Sequence, residues 1–431
     1  MNYDIQELIN NGQAYMAAEK YESAVKEFSK ALELDKMNAE ILSQLGNAFV
    51  CLEQYDEAMN SFKSALMVDS ENGKILYSIG GVYLLKNDFA EAVRYYNRAE
   101  AAGYRSVEMY LILSGVFAES EDYPQAIRAI TRAIELKPLR GDLYARKAEL
   151  QAEYGMYDDA LVTLKDFKEL IPDSYDVYEQ MVRIYCLQKK YTLAEGVAEE
   201  ALSRFPNDPA IMLLKLQVLV ESGKYADAVC YSDSLLPAAQ ENDSILGQIV
   251  LYKATSLALQ GKTPDVIRTL ENYRCLNTDE KALYLLMNTC MLQKQFSKVI
   301  DKAEILERIS SDPGIKAAAM YYRVNAIQNM KGIEFAAQEY KKILPILRRI
   351  SVEAPQNYEI YIYRLLSHAE IGEFEKAIAL ADYLENAYPE LPDGHMYKYH
   401  IYKRMGDHDK AKMEREAVMK IAPDLQLEPV M

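Results

Sequence analysis

YDEAMNSFKSALMVDSENGKILYSIGGVYLLKNDFAEA, residues 55–92, decides how this chain folds. Its opening Tyr55-Asp56-Glu57-Ala58 returns at its close as Phe89-Ala90-Glu91-Ala92, 34 residues later. The same interval carried outward from Ala58 reaches Ala24 on one side and Ala92, Ala126, Ala160, Ala194 and Ala228 on the other, without a miss. Three residues before each alanine stands an aromatic: Tyr21, Tyr55, Phe89, Tyr123, Tyr157, Tyr191 and Tyr225. Two complete series in one register mark an internal repeat, and a repeat has to be read before any count of domains.

Other positions keep the same period. Twelve residues before each alanine lie Gly12, Gly46, Gly80, Ser114 and Ala148, fading to Val182 and Leu216. Seven after it lie Ala31, Ala65, Ala99, Ala133 and Ala201, with Phe167 and Leu235 as exceptions, and the middle units close on Pro138, Pro172 and Pro206. The unit boundaries carry Asn38, Asn72, Ser106, Arg140, Ser174, Asp208 and Asn242. All but the arginine are preferred helix N-caps, and Pro209 after Asp208 suits a first helical position. Each unit therefore reads as two short helices. Helices of that length are marginal alone and must cross closely, which calls for small side chains where the backbones meet.

The pattern resembles the tetratricopeptide repeat (TPR): a small residue at position eight, an aromatic at eleven, alanine at twenty and twenty-seven, and proline at thirty-two. Tyr15, Phe49, Tyr83, Phe117 and Tyr185 fill position eleven, while Gln151 and Leu219 depart from it. The family's frequent tryptophan at position four is replaced by Leu42, Leu76, Tyr110, Tyr144 and Tyr178. The resemblance implies an all-α, right-handed superhelical solenoid of about twelve helix-turn-helix repeats, whose role is to hold other polypeptides. Seven regular units are expected over 5–242, irregular units over 243–357, two further units over 358–425, and a tail at 426–431. The irregular stretch contains EYKKILPILRRISVEAPQN, where Pro345 strains a helix and Lys341, Lys342, Arg348 and Arg349 make the surface basic. It reads as a long helix with a charged face, or as a dock for an acidic segment of a partner.

Composition narrows the function. A net charge of −16 and a pI near 5.0 disfavour nucleic acid and anionic membrane surfaces. No window has the length of apolar sequence that spans a membrane, the N-terminus lacks the pattern of a signal peptide, and the five cysteines are scattered, so a cytoplasmic location is expected. Gly261-Lys262-Thr263 lacks the glycine and strand of a phosphate loop. The histidines (His368, His395, His400 and His408) lack the spacing of a metal site. No catalytic elbow is present, and neither enzyme activity nor a cofactor or metal is expected.

The resemblance places first helices along a concave groove. Some family members grip a C-terminal carboxylate there with a lysine at position five. Here that position holds Ile9, Ser43, Tyr77, Leu111, Ala145, Glu179 and Leu213, so such a clamp is not expected. The expected lining carries Asp142, Arg146, Glu149, Asp176, Glu179 and Arg183 in the middle units. Further along it carries Tyr284, Asn288, Tyr321, Tyr322, Asn325, Tyr363, Tyr397 and His400. Tyrosine offers contact area and one hydrogen bond at low entropic cost, and asparagine can hold a peptide backbone. The expected function is a scaffold or adaptor that binds a protein or peptide segment in this groove. The alternative is a peptide sensor that docks to an effector.

Overall fold

The computed structural model describes residues 4–171 and 174–425, in two compact units that meet at Pro206 and Asn207. The first unit pairs α1 (Ile5–Ala17) with α2 (Tyr21–Leu34), α3 (Ala39–Cys51) with α4 (Tyr55–Val68), and α5 (Gly73–Leu85) with α6 (Phe89–Ala101). It continues with α7 (Val107–Glu119) and α8 (Tyr123–Leu136), α9 (Gly141–Glu153) and α10 (Tyr157–Leu170), then α11 (Tyr175–Leu187) and α12 (Tyr191–Arg204). The second unit pairs α13 (Pro209–Glu221) with α14 (Tyr225–Leu235), α15 (Asp243–Leu259) with α16 (Thr263–Glu271), and α17 (Glu280–Leu292) with α18 (Phe296–Ile309). It ends with α19 (Pro313–Lys331) and α20 (Ile333–Glu353), α21 (Tyr358–Glu370) and α22 (Phe374–Ala387), then α23 (Asp393–Met405) and α24 (His408–Ile421). The fold is an all-α solenoid of twelve helix pairs among the described residues. Pro172 and the expected tail at 426–431 lie outside them.

Each pair turns on one residue in the left-handed backbone region. These are Glu19, Glu53, Asn87, Glu121, Gly155, Lys189 and Gly223, then Gly261, Lys294, Gly332, Gly372 and Gly406. The first seven are 34 residues apart; Gly261 follows Gly223 by 38, and Gly372 follows Gly332 by 40. The hydrogen bonds explain the geometry. The amide after the left-handed residue reaches back over the last helical turn, as from Gln54 to the Phe49 carbonyl at 2.9 Å and from Asp122 to Phe117 at 2.8 Å. The repeated aromatic then begins the second helix, from Tyr21 through Tyr225.

At the pair boundaries Asn38, Asn72, Ser106, Asp208 and Asn242 accept backbone N–H groups at the start of the next helix. Ser174, expected to do the same, makes no side-chain cap.

Close crossing within a pair is organised by size. A Cβ on Gly12 would meet the Phe28 ring at 2.4 Å, one on Gly46 the Phe62 ring at 2.6 Å, and one on Gly80 the Tyr96 ring at 2.7 Å. Along the chain the two positions exchange bulk. Ser114 goes with Ile130, Ala148 with Leu164, Val182 with Ala198 and Leu216 with Ser232, all of them buried. The loss of small residues at position eight is thus compensated sixteen residues later. Gly46→Leu should cost about 1–3 kcal/mol by overpacking. Adding Phe62→Ala should recover part of that cost, although Phe62→Ala alone costs about 3–5 kcal/mol. Chemical denaturation of the four proteins checks the coupling; costs that simply add would contradict it.

Pro345 does not break its helix. α20 runs through it for 21 residues, with Pro345 on the exposed side, where the carbonyl left without a donor can be solvated.

Candidate functional site: a tyrosine-lined groove in the second unit

The first helices of four successive pairs, α17, α19, α21 and α23, carry the aromatic residues expected from the sequence. Tyr284 and Asn288 are four apart on α17, and Tyr321 and Asn325 are four apart on α19, so each pair shares a helix face. The Tyr321 ring lies 5.7 Å from Tyr322, 6.2 Å from Tyr340 and 5.6 Å from Tyr363, and Tyr322 lies 6.1 Å from Tyr363. Asn325 Nδ2 donates to the Tyr321 hydroxyl at 3.5 Å and holds it on the same face. Tyr284 and Tyr322 both add to the upward shift of the Tyr363 hydroxyl, which places the three phenols close together.

Burial divides the set. Tyr321 and Tyr363 are each only 8% exposed and belong to the core with Val324, Tyr340, Leu347 and Ile360. Tyr284, Asn288, Tyr322, Asn325 and Tyr397 are half-buried, with part of each side chain open to solvent, and His400 is exposed. Asn288 Oδ1 is shielded without a hydrogen-bond partner, an acceptor still to be satisfied.

Burial raises the hydroxyl pKa of Tyr321, Tyr322, Tyr363 and Tyr397. Nearby carboxylates add to this: Glu370 for Tyr321, Glu359 for Tyr322 and Tyr363, and Asp393 for Tyr397. The phenols are therefore neutral donors at physiological pH, in an acidic frame. Next to Tyr284 opens a groove of about 790 Å³ lined by Asp312, Ile315, Pro355, Tyr358 and Glu359.

In the first unit Arg146 pairs with Glu149 at 2.6 Å, and Asp142 takes two hydrogen bonds from Arg140. Arg183 and Glu149 line a pocket of about 90 Å³ with Ala152, Gln180 and Leu187. Asp176 and Glu179 are exposed on α11. This surface is mixed in charge, and its pocket is much smaller than the groove beside Tyr284.

Sequence reasoning missed a charged network among the last helices. Lys398, 7% exposed, forms ion pairs with Glu385 at 2.6 Å, Asp382 at 3.0 Å and Glu414 at 3.2 Å, and donates a hydrogen bond to Asp382. His395 Nδ1 lies 2.6 Å from Glu414 and 2.9 Å from Glu385. Glu385, His395 and Glu414 bring donor atoms within 4.8 Å of one another, but the Lys398 ammonium sits among the same carboxylates and supplies their positive charge. A signal was present in the sequence: His395 occupies position four, where six of the seven regular units have leucine or tyrosine and the seventh has Met212.

Comparison with known proteins follows from this architecture. Residues 12–52 match the family model described as TPR repeat, and residues 43–106 match the model described as tetratricopeptide repeat. Residues 12–106 of the chain carry tetratricopeptide repeats. Among solved structures it is similar to YrrB, described as a TPR protein with an unusual peptide-binding site. That match has 24% identity and a TM-score of 0.36, covering 44% of this chain and 96% of that one. It is also similar to yeast Tom70, at 13% identity and a TM-score of 0.47 over 96% of each chain. A third match, to the Cut9–Hcn1 hetero-tetramer of the APC/C, has 13% identity and a TM-score of 0.42 over 98% of this chain and 94% of that one. No curated protein sequence matches the chain. The repeat is a protein-interaction fold, and in that general sense the chain is a scaffold for protein or peptide partners. Among the described residues no helix is long and apolar enough to cross a membrane.

Proposed function

We propose that this protein is an adaptor that holds an extended segment of a partner polypeptide along the groove built by α17, α19, α21 and α23. The observation that carries the reading is the row of half-buried Tyr284, Tyr322 and Tyr397, with the unsatisfied Asn288 carbonyl beside Tyr284. Half-buried tyrosines offer large contact area with little entropy to lose, and the asparagine accepts a backbone N–H. Glu359, Glu370 and Asp393 frame the same surface. A partner segment carrying lysine or arginine among its apolar residues fits that charge better than an acidic one. Tyr321 and Tyr363 support the row from beneath and are not themselves the contact surface.

Capture from native lysate with the full chain as bait tests the proposal. The control is the Asn288→Ala/Tyr322→Ser variant, with circular dichroism to verify unchanged helicity. Loss of one hydrogen bond and one aromatic contact should weaken capture of a specific protein by about tenfold or more. Equal capture by a folded variant would remove the groove from the function.

A further inference from the structure

A second cleft in the same unit lies between α20 and α22, with α21 at its base. Its volume is about 670 Å³, and it is lined by Lys341, Leu344, Pro345, Arg348, Arg364, His368, Ile371, Glu373, Lys376, Ala379 and Leu380. Arg364 and His368 are four apart and share a face of α21, whereas Tyr363 is rotated by about 100° from Arg364 and belongs to the tyrosine core. In a chain of net charge −16, this cleft brings together Lys341, Arg348, Arg364, His368 and Lys376. Glu373, the cleft's one carboxylate, is already engaged by His368 at 2.6 Å and Lys376 at 3.0 Å.

The repeat register shows what the cleft lacks. Arg364 stands 34 residues before Lys398, at the same place one pair earlier. Lys398 is held by Asp382, Glu385 and Glu414. The corresponding residues around Arg364 are Arg348, Ser351 and Leu380. Arg364 does reach Ser351, donating to its hydroxyl at 2.9 Å, as Lys398 reaches Glu385. Every carboxylate of the later arrangement is replaced by a neutral or basic group. Among the described residues no carboxylate pairs with Arg364, Arg348 or Lys341, although the neighbours Lys342 and Arg349 are paired with Glu339 and Glu353. The Arg364 Nε–H is shielded without a partner. Burial works against the Arg364 charge and the adjacent Arg348 adds to this, offset only in part by Tyr361, whose ring lies 5.7 Å from the guanidinium.

We infer that this cleft binds an acidic polypeptide segment of a partner protein. Its carboxylates take the place around Arg364 that Glu385 and Glu414 take around Lys398, and its apolar side chains rest on Leu344, Pro345, Ile371 and Leu380. The guanidinium fork suits a carboxylate, Lys341, Arg348 and Lys376 draw the segment in, and the apolar wall selects acidic sequences that also carry aliphatic residues. The site is separate from the tyrosine groove and prefers the opposite charge.

The test is fluorescence anisotropy with a fluorescein-labelled peptide of alternating glutamate and leucine, and with its glutamine–leucine counterpart, against the full chain. The glutamate peptide should bind, weaken as salt is raised, and exceed the glutamine peptide by about tenfold or more. Lys341→Gln/Arg348→Gln, both exposed positions, should reduce that binding by a similar factor. Leu380→Glu, which returns the carboxylate found at Glu414, should both block the peptide and raise the melting temperature. Asn288→Ala/Tyr322→Ser should leave it unchanged. Equal binding of the two peptides, or full binding by Lys341→Gln/Arg348→Gln, would overturn the inference. So would sedimentation showing that the chain self-associates through this cleft and that the glutamine substitutions abolish it, because the occupant would then be a second copy.

Discussion

Lys398→Met is expected to destabilise the second unit by about 3–5 kcal/mol, because it removes the one cation from three carboxylates that remain in place. Asp382, Glu385 and Glu414 converge on a lysine whose side chain is 9% exposed; the two glutamates are only 19% and 15% exposed, while Asp382 is half-exposed. Methionine matches the length of lysine, so packing changes little and the loss reports the charge. Adding Glu385→Gln and Glu414→Gln to Lys398→Met should recover much of it, since replacing a whole buried ion cluster costs far less than breaking one.

Burial opposes the Lys398 charge, but hydrogen bonds to Glu385, Asp382 and Glu414 outweigh it and hold the pKa above the ordinary lysine value. A pKa raised on folding contributes stability that is complete below about pH 10 and is lost as pH rises through the folded value. Wild type and Lys398→Met should therefore differ most at neutral pH and converge in strong alkali. Chemical denaturation at several pH values measures this, and a difference independent of pH up to the alkaline limit would count against the network.

Tyr363→Ala carries the second large effect, about 3–5 kcal/mol. Its ring packs on Tyr321 and Tyr322, and the side chain is 8% exposed. Truncation opens a cavity where three helix pairs meet, α17 through Tyr284, α19 through Tyr321, and α21 itself. Tyr363→Phe keeps the ring and removes only the hydroxyl, so a loss of about 1 kcal/mol or less is expected. In a repeat stack energies act between neighbours, so Tyr363→Ala should introduce an early, partial loss of helical signal on heating. A single transition at the wild-type temperature would show that the cluster is not a core. This burial is also why Tyr321 and Tyr363 make poor probes of binding: their removal confuses loss of a surface with loss of the fold.

Much of the fold was legible because its determinants repeat. The alanine and aromatic series locate the helix pairs, and the Asn and Asp caps locate their starts. The left-handed turn was not legible. Glu19, Glu53, Glu121 and Lys189 occupy it in the first unit, residues that carry no mark of positive φ, and only Asn87 and Gly155 hint at the requirement. There the reach-back hydrogen bonds of the turn override the local preference of the side chain. The exchange of bulk between positions such as Gly12 and Phe28, or Leu216 and Ser232, was present in the sequence. It reads as fading conservation of a small residue until the two helices are seen to cross.

The candidate site was legible as a set of helix faces, not as a surface. Tyr321 and Tyr322 are neighbours in sequence, and their spacing cannot show which one is covered by Tyr340 and Tyr363. The pairing of Lys398, and the absence of pairing at Arg364, depend on α20, α22 and α24. Those partners become visible only when the register is applied across pairs.

The central claim, that the tyrosine row is where a partner polypeptide lies, is tested most directly by photocrosslinking. A benzoylphenylalanine at position 322 should form a discrete adduct with a polypeptide partner, while the same group at position 67, where Met67 is 85% exposed in the first unit, should not. Adducts of equal yield at both positions, or none at 322 in a folded protein, would contradict the account.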